Sequence, residues 1–481
     1  MHIRRFAVVL VIVPFAAFAE TVLVPEVPGF LPTVLLKRTS VAGPVASCPL
    51  GGDRIEVGPD TDASGRLNPG EVEKTVHVCR WDRAVLDSRT VGDGVADDRD
   101  RLASELAAAA THHRALRLAP GRTYLISRRI DVTGDEWELD CQGSTIKMAD
   151  GAALDWTHGM LFVKGSRWTI RNCKADGNRS RRPSGLRKDG KWIQDDTNLF
   201  MVGAGSSGWA FDRVEANQGP VDGFYFVSNT QAKPSTYPRD GVLVQCSANN
   251  NGRQGASIVS GRSIIMIGFA ARNTQGDPRA GSGFDVEADK GGVLGGNSDI
   301  VFYGGTFSGN SSCGISLGPF ETAPTRVTVE RNRFTDGGTA FYSDGTSVLF
   351  RRNLVENFTR PMPRPRIDAV VRAYAERGSV PRSITIAENV FRNIRVAGAE
   401  AWPSGIVDLG WNAAGMVAVN NVFIDTDPII VRVQSMKDGA LVTGNTGAGG
   451  VQAPAGCPPR HECFTGSATP ESRPAGPRTA R

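Results

Sequence analysis

Asp285 and Glu287 stand two residues apart in G-S-G-F-D-V-E-A-D, residues 281–289, alternating with Phe284 and Val286. On a strand, that alternation sends both carboxylates to one face and both apolar side chains to the other. Neighbouring carboxylates repel, and the repulsion pushes one pKa upward, as a general acid requires. Their Cα atoms, two strand residues apart, are separated by about 6.7 Å. With side-chain freedom this spans the carboxyl separations of both retaining and inverting glycosidases. One reaction open to the pair is therefore glycoside hydrolysis, in which one carboxylic acid protonates the leaving oxygen while the other activates water or attacks the sugar. The other is β-elimination, in which the carboxylates hold Ca²⁺ against a uronate and Arg253, Arg279 or Lys290 takes the proton.

A glycine register places further groups around the pair. D-G-F-Y-F-V (from 222), Q-G-A-S-I-V (254), S-G-F-D-V-E (282) and C-G-I-S-L-G (313) align on their glycines. The alignment puts Phe224, Ala256, Phe284 and Ile315 in one inward column and Phe226, Ile258, Val286 and Leu317 in the next. Tyr225, Ser257, Asp285 and Ser316 then form an outward column, with Val227, Val259, Glu287 and Gly318 beside it. Asp222 joins Asp285 and Glu287 as a catalytic candidate at the strand entrance. Tyr225, Arg253, Gln254 and Arg279 are candidates for binding substrate. The cationic stretch N-R-S-R-R-P-S-G-L-R-K-D-G-K-W carries Arg179, Arg181, Arg182, Arg187, Lys188 and Lys191 and ends at Trp192. It could clamp an anionic glycan while the indole stacks on a sugar.

Stacked coils are needed to hold such columns, and the sequence repeats accordingly. V-T-V-E-R-N-R-F, V-L-F-R-R-N-L-V, I-T-I-A-E-N-V-F and M-V-A-V-N-N-V-F place Asn332, Asn353, Asn389 and Asn421 at one point of each repeat, with Asn445 as a fifth. Spacings of 21 to 36 residues suit one solenoid coil each. Turn asparagines at equivalent points can bond to their stacked neighbours as a ladder. Upstream, D-G-V-A-D-D precedes an alanine-rich helix, with Asp97 or Asp98 as its cap and Leu102 and Leu106 on its apolar stripe. The strand L-R-L-A-P-G-R-T-Y-L-I follows directly.

D-G-V-A-D-D, the alanine-rich helix and P-G-R-T-Y-L-I together resemble the start of the pectin-lyase-like superfamily. That resemblance implies a right-handed parallel β-helix whose open end is capped by the helix near 98–112, and a polysaccharide partner along an outer strand face. The expected organisation is a signal peptide at 1–19, a linker at 20–47, a small module at 48–79, the cap at 80–115, the β-helix at 116–447 and a disordered Pro/Gly-rich tail at 448–481. Within the superfamily, the polygalacturonase branch carries a G-H-G motif. Here Cys313 stands where that histidine is expected, a departure from galacturonan hydrolysis of that kind. No motif of the calcium-dependent pectate lyases matches. Some β-helix carrageenan hydrolases resemble this chain in carrying two acids two apart on one strand.

The 48–79 module is bracketed by Cys48 and Cys79. Asp60, Asp62, Ser64, Gly65, Asn68 and Glu71 fall at positions 1, 3, 5, 6, 9 and 12 of an EF-hand-type loop. Alternate oxygens wrap a hard cation, Gly65 permits the sharp turn, and Glu71 closes the shell. The segment resembles the D-x-[DN]-x-[DN]-G-x-L-x-x-x-E-V repeat of bacterial surface proteins, which implies a structural Ca²⁺ held by Asp60, Asp62, Ser64, Asn68 and Glu71.

The remaining composition narrows the function class. Arg4, Arg5, an apolar run and A-F-A before Glu20 read as an export signal, too short to span a bilayer. Eight cysteines in an exported chain permit disulfides, with Cys48–Cys79 and Cys457–Cys463 as expected pairs. Cys141, Cys173, Cys246 and Cys313 read as buried thiols. Of six histidines only His158 lies within the coils, which argues against Ser-His-Asp catalysis and histidine zinc sites. A net charge of +5 without a binding motif gives no reason to expect nucleic acid. The expectation is a secreted or periplasmic protein that degrades or modifies an acidic polysaccharide by a carboxylate pair. A calcium-dependent lyase and a non-catalytic glycan-binding surface protein are the alternatives.

Overall fold

The computed structural model describes residues 19–45, 48–81, 84–152, 159–181, 185–186, 192–193, 197–228, 233–275, 281–287, 296–318, 323–359, 369–373, 382–395, 405–410, 414–426, 429–433, 440–447 and 450–452. Among these residues the chain winds into a right-handed parallel β-helix of three long sheets with thirteen, twelve and twelve strands. The first sheet runs from Val85–Asp87 to Ala440–Thr443, the second from Asp93–Asp97 to Val422–Thr426, and the third from Ile130–Thr133 to Gly450–Gln452. Each coil adds one short strand to each sheet. A single coil buries little, so the core is the sum of stacked inward side chains. Trp137, Trp168 and Trp209 stack in succession within it, followed by Phe211, Phe224, Phe269 and Phe284.

The asparagine ladder forms as expected. Asn353 Oδ1 accepts from the backbone and amide nitrogens of Asn332 at 2.9 and 3.1 Å. Asn389, Asn421 and Asn445 repeat the pattern down the stack. Five coils upstream of Asn332, the turn that follows the first-sheet strand is tied covalently by Cys141–Cys173. These two cysteines are therefore not thiols. They lie 32 residues apart, one coil, and stacking brings their turns together. Cys246 and Cys313 are buried as expected, and Cys48–Cys79 is joined. Cys457 and Cys463 lie outside the described residues.

Helix α1 (Arg99–Thr111) caps the open end, with Leu102, Leu106, Ala109 and Ala110 turned onto the core. Asp98 is its N-cap residue, but its carboxylate accepts from Gly92 and Leu125 rather than from the first helical turn. Three expected boundaries are corrected. Residues 80–115 already contribute the strands Val85–Asp87 and Asp93–Asp97, so the solenoid begins before residue 116. Gly450–Gln452 adds a strand within the segment expected to be disordered. Residues 20–47 are not a linker.

The third correction shapes the whole molecule. Strands β1 (Ala19–Val24), β2 (Val34–Ala42), β3 (Gly51–Pro59) and β4 (Lys74–Cys79) form an antiparallel sheet in that order. Its inner face, including Val24, Val34, Leu36, Ile55, Val57 and Val78, packs on Ala210, Val244, Ile267 and Tyr303 of the β-helix. Ion pairs pin both ends. Arg38 bridges Asp53 at 2.8 Å and the fully buried Asp212 at 2.5 Å. Glu73 receives hydrogen bonds from Tyr303 at 2.7 Å and Arg331 at 2.6 and 2.8 Å. No helix among the described residues is long and apolar enough to cross a membrane.

Candidate functional site

The site lies on the outer face of the third sheet, on strands Phe224–Phe226, Ala256–Ile258, Phe284–Val286 and Cys313–Leu317. Their register is Tyr225↔Ser257↔Asp285↔Ser316, with Phe224, Ala256, Phe284 and Ile315 paired beside it. The glycines used to align these strands have a steric cause. A Cβ on Gly223, Gly255, Gly283 or Gly314 would come within 2.3–2.8 Å of the carbonyl oxygen of the next coil, so only glycine lets the coils close up. Tyr342 and Arg372 extend the outward column beyond Ser316.

Asp285 is 5% exposed. Gln254 Nε2 donates to its Oδ2 at 3.1 Å, and Ser316 and Glu287 also hydrogen-bond its carboxyl. Burial drives its pKa up, the Ser316 hydroxyl and the Arg253 charge pull part of the way back, and the result is about 6. The strand ends at Val286, so Glu287 is free of strict alternation and turns onto Asp285. The sequence-based separation therefore closes to hydrogen-bond contact. Such a pair holds a proton between its members, because two charges so close cannot both persist. Asn297, which sequence reasoning missed, fixes the backbone here. Its amide donates to the Glu287 carbonyl at 3.1 Å and accepts from Gly261 at 2.8 Å. Nothing in the sequence around Asn297 marks that role.

Asp222 sits within reach of the pair but is committed elsewhere. Fully buried, it accepts from Arg253 Nε at 2.9 Å and Nη2 at 2.6 Å, from the Gln254 backbone at 3.0 Å and from Ser257 Oγ at 2.7 Å. Its carboxylate therefore anchors Arg253 in the strand face. Gln254 is similarly occupied, since its Oε1 accepts from the Ser282 backbone at 2.6 Å while its amide holds Asp285. Both ends of its amide are thus taken up within the strand face. Arg253 lies over the Tyr225 ring at 5.9 Å from its centroid. Burial would lower the Arg253 pKa, but Asp222 overrides it and keeps the guanidinium charged. A guanidinium held this way cannot serve as the base of an elimination.

Arg279 and Lys290 lie outside the described residues, as do Arg182, Arg187, Lys188, Lys191 and His158. Trp192 lies on the short strand Trp192–Ile193, antiparallel to Gly185–Leu186. Arg179 and Arg181 form a single 3₁₀ turn. The Arg179 side chain lies over Gly252, where an added Cβ would sit 3.4 Å from its Cδ.

The acidic loop is far from this face along the chain. Asp60, Asp62 and Glu71 offer oxygens within 4.8 Å of one another. Gly65 takes φ +69°, and its N–H and that of Ser64 bond to Asp60 at 2.8 and 2.9 Å. Glu71 accepts from the Thr61 and Asn68 backbones at 2.6 and 3.0 Å. Asn68 donates to Asp62 at 2.8 Å, and Ser64 Oγ donates to the Arg66 carbonyl at 3.1 Å. The converging hard oxygens and the sharp turn fit a Ca²⁺-sized cation.

Residues 36–79 match a sequence family described as a domain of unknown function, DUF7151. No curated protein sequence matches the chain. Among solved structures, the chain is similar to PfbA, a surface adhesin of Streptococcus pneumoniae, with TM-score 0.54 and 12% identity over 75% of this chain and 90% of that one. The A-module of the Azotobacter vinelandii mannuronan C-5 epimerase AlgE4 gives TM-score 0.49 and 15% identity, covering 78% and 100%. An endo-xylogalacturonan hydrolase from Aspergillus tubingensis gives 0.40 and 11%, covering 78% and 99%. At these identities the likeness is one of fold.

Proposed function

We propose that this chain is an exported glycoside hydrolase acting on a polysaccharide along the outer face of the third sheet, with Asp285 as general acid and Glu287 as its partner carboxylate. The observation that carries the reading is the buried Asp285, with its pKa near 6, in hydrogen-bond contact with Glu287. A general acid must hold its proton near neutral pH, and burial supplies that. The pair sits closer than either glycosidase separation, about 5–5.5 Å or 6.5–9.5 Å. A glycosidic oxygen taking the Asp285 proton would replace Glu287 as its hydrogen-bond partner. Glu287, longer and half-buried, is then released as a carboxylate beside the anomeric carbon. Asn297 and Gln254 keep the two groups in place while the proton moves.

Hydrolysis is favoured over elimination because Arg253, the described base candidate for elimination, is clamped and charged. Two disulfides support an oxidising compartment. The test is a panel of acidic and neutral glycans followed by both reducing ends and the absorbance of unsaturated products. Reducing ends should appear without unsaturated products, and Asp285→Asn and Glu287→Gln should each cut turnover by about 10²-fold or more. Near wild-type turnover in both variants would remove this pair from the mechanism. Unsaturated products would replace hydrolysis with elimination, and glycan retention without turnover would replace the enzyme with a binding protein.

The Asp60–Glu71 loop is proposed to hold one structural Ca²⁺ through Asp60, Asp62, Ser64, Asn68 and Glu71. The cation would brace the β3–β4 connection and take no part in chemistry at Asp285.

A further inference from the structure

The Asp222–Arg253 pair asks why a charged group is kept in a strand face where an apolar pair would be as stable. Its geometry supplies an answer. Arg253 spends Nε and Nη2 on Asp222, and Nη2 also approaches Ser257 Oγ at 3.4 Å. Asp222 is wholly buried while the Arg253 side chain is 30% exposed, so the guanidinium is held from below with an outer edge left to solvent. Tyr225 supports its flat face. The residue before it, Gly252, is overlain by Arg179, the first arginine of the cationic stretch. The Arg179 side chain thus lies against the backbone that leads into Arg253. Arg253 belongs to the coil adjoining that of Asp285, about 4.8 Å away along the axis.

We infer that Arg253, assisted by Arg179, is an anion-recognition site for a carboxylate or sulfate on the glycan, one coil from the reacting bond. The inference rests on the proposed glycan-acting role of the same face. A planar guanidinium fixed by a bidentate carboxylate loses little freedom on meeting a second anion, and its remaining donors favour oxyanions over hydroxyls. An acidic sugar docked there would set which glycosidic oxygen reaches Asp285. Arg253 is on this account a specificity residue and takes no proton.

The experiment measures equilibrium binding in the Asp285→Asn background, so that polymer is not consumed. The probes are polygalacturonate, alginate and a sulfated galactan, compared with carboxyl-reduced polygalacturonate and a neutral galactan, by affinity electrophoresis at low and high salt. At least one anionic polymer should bind tenfold or more tightly than the neutral ones. Asp222→Asn combined with Arg253→Gln, which avoids stranding a buried carboxylate, should abolish that preference. Arg253→Lys should lose part of it, because the charge stays and the fork goes. Arg179→Gln, at a half-exposed position that leaves the Asp222 pair intact, should weaken it severalfold and guards against a folding defect in the double variant. Equal binding of anionic and neutral polymers, or an unchanged preference in both the double variant and Arg179→Gln, would overturn the inference. If Asp285→Asn still turns over glycan while the anion preference persists, the acid–base reading fails and this one stands. If turnover is lost but anionic and neutral polymers bind alike, the reverse holds.

Discussion

Replacing Asp285 by asparagine should raise stability, and by an amount that depends on pH. The folded protein lifts the Asp285 pKa from 3.8 to about 6, so ionising it in place costs about 3 kcal/mol more than in the unfolded chain, at about 1.4 kcal/mol per unit. A folded pKa above the unfolded value means that the group favours folding only while protonated. Its contribution is fully present below about pH 4 and is lost as pH climbs through about 6. Asparagine matches the protonated acid at every pH and keeps an oxygen for Gln254 and Ser316. The variant should therefore equal wild type near pH 3 and exceed it by about 3 kcal/mol at pH 8. Urea denaturation at the two pH values, followed by tryptophan fluorescence, reads the difference directly. A gap that is the same at both pH values, or a variant weaker than wild type at pH 8, would refute the claim that burial holds a proton on this carboxyl.

Two further outcomes test the parts that position the site and the module. Asn353→Ala removes four side-chain hydrogen bonds from a fully buried ladder position and should cost about 4 kcal/mol, whereas Asn445→Ala, at the more exposed end, should cost clearly less. Similar losses in urea denaturation would mean that the ladder is not cooperative in burial. Calcium should raise the melting temperature of the full chain and slow proteolysis between residues 60 and 71, and Glu71→Gln should remove both effects. Protection that survives in the variant would dismiss the loop as a cation site.

The solenoid and the order of its outward column were legible because both follow from backbone periodicity. Tyr225, Ser257, Asp285 and Ser316 could be stacked from glycine positions alone, since a carbonyl from the next coil excludes any Cβ there. The commitment of Asp222 to Arg253 was not legible, because it depends on how a long side chain folds back across a coil. Glu287 closed on Asp285 for a related reason, since alternation stops where the strand stops. Cys141 and Cys173 could have been paired from their spacing, one coil apart, had the coil length been applied to cysteines as it was to asparagines. The segment V-L-L-K-R-T-S-V-A, residues 34–42, gave no local sign of its partner. Its sheet and the surface it covers are assembled from residues far along the chain.

That covering sheet changes how the solenoid should come apart. A stack of coils in which each touches only its neighbours behaves as a one-dimensional chain, able to fray from either end. Here Cys79 accepts from Thr169, Arg38 grips Asp212, and Glu73 holds Tyr303, Arg331 and Arg352. The contacts span seven successive strands of the first sheet, Thr169–Arg171 through Thr346–Arg351, about 29 Å of axis. A splint of that length makes the loss of any one coil beneath it felt by the others, so the middle of the rod unfolds as a block. The coils that carry Asp285 and Arg253 lie inside the splinted stretch. Their register is thereby protected from slippage that neighbour contacts alone would permit, and a polymer laid along the rod meets a ruler of fixed spacing.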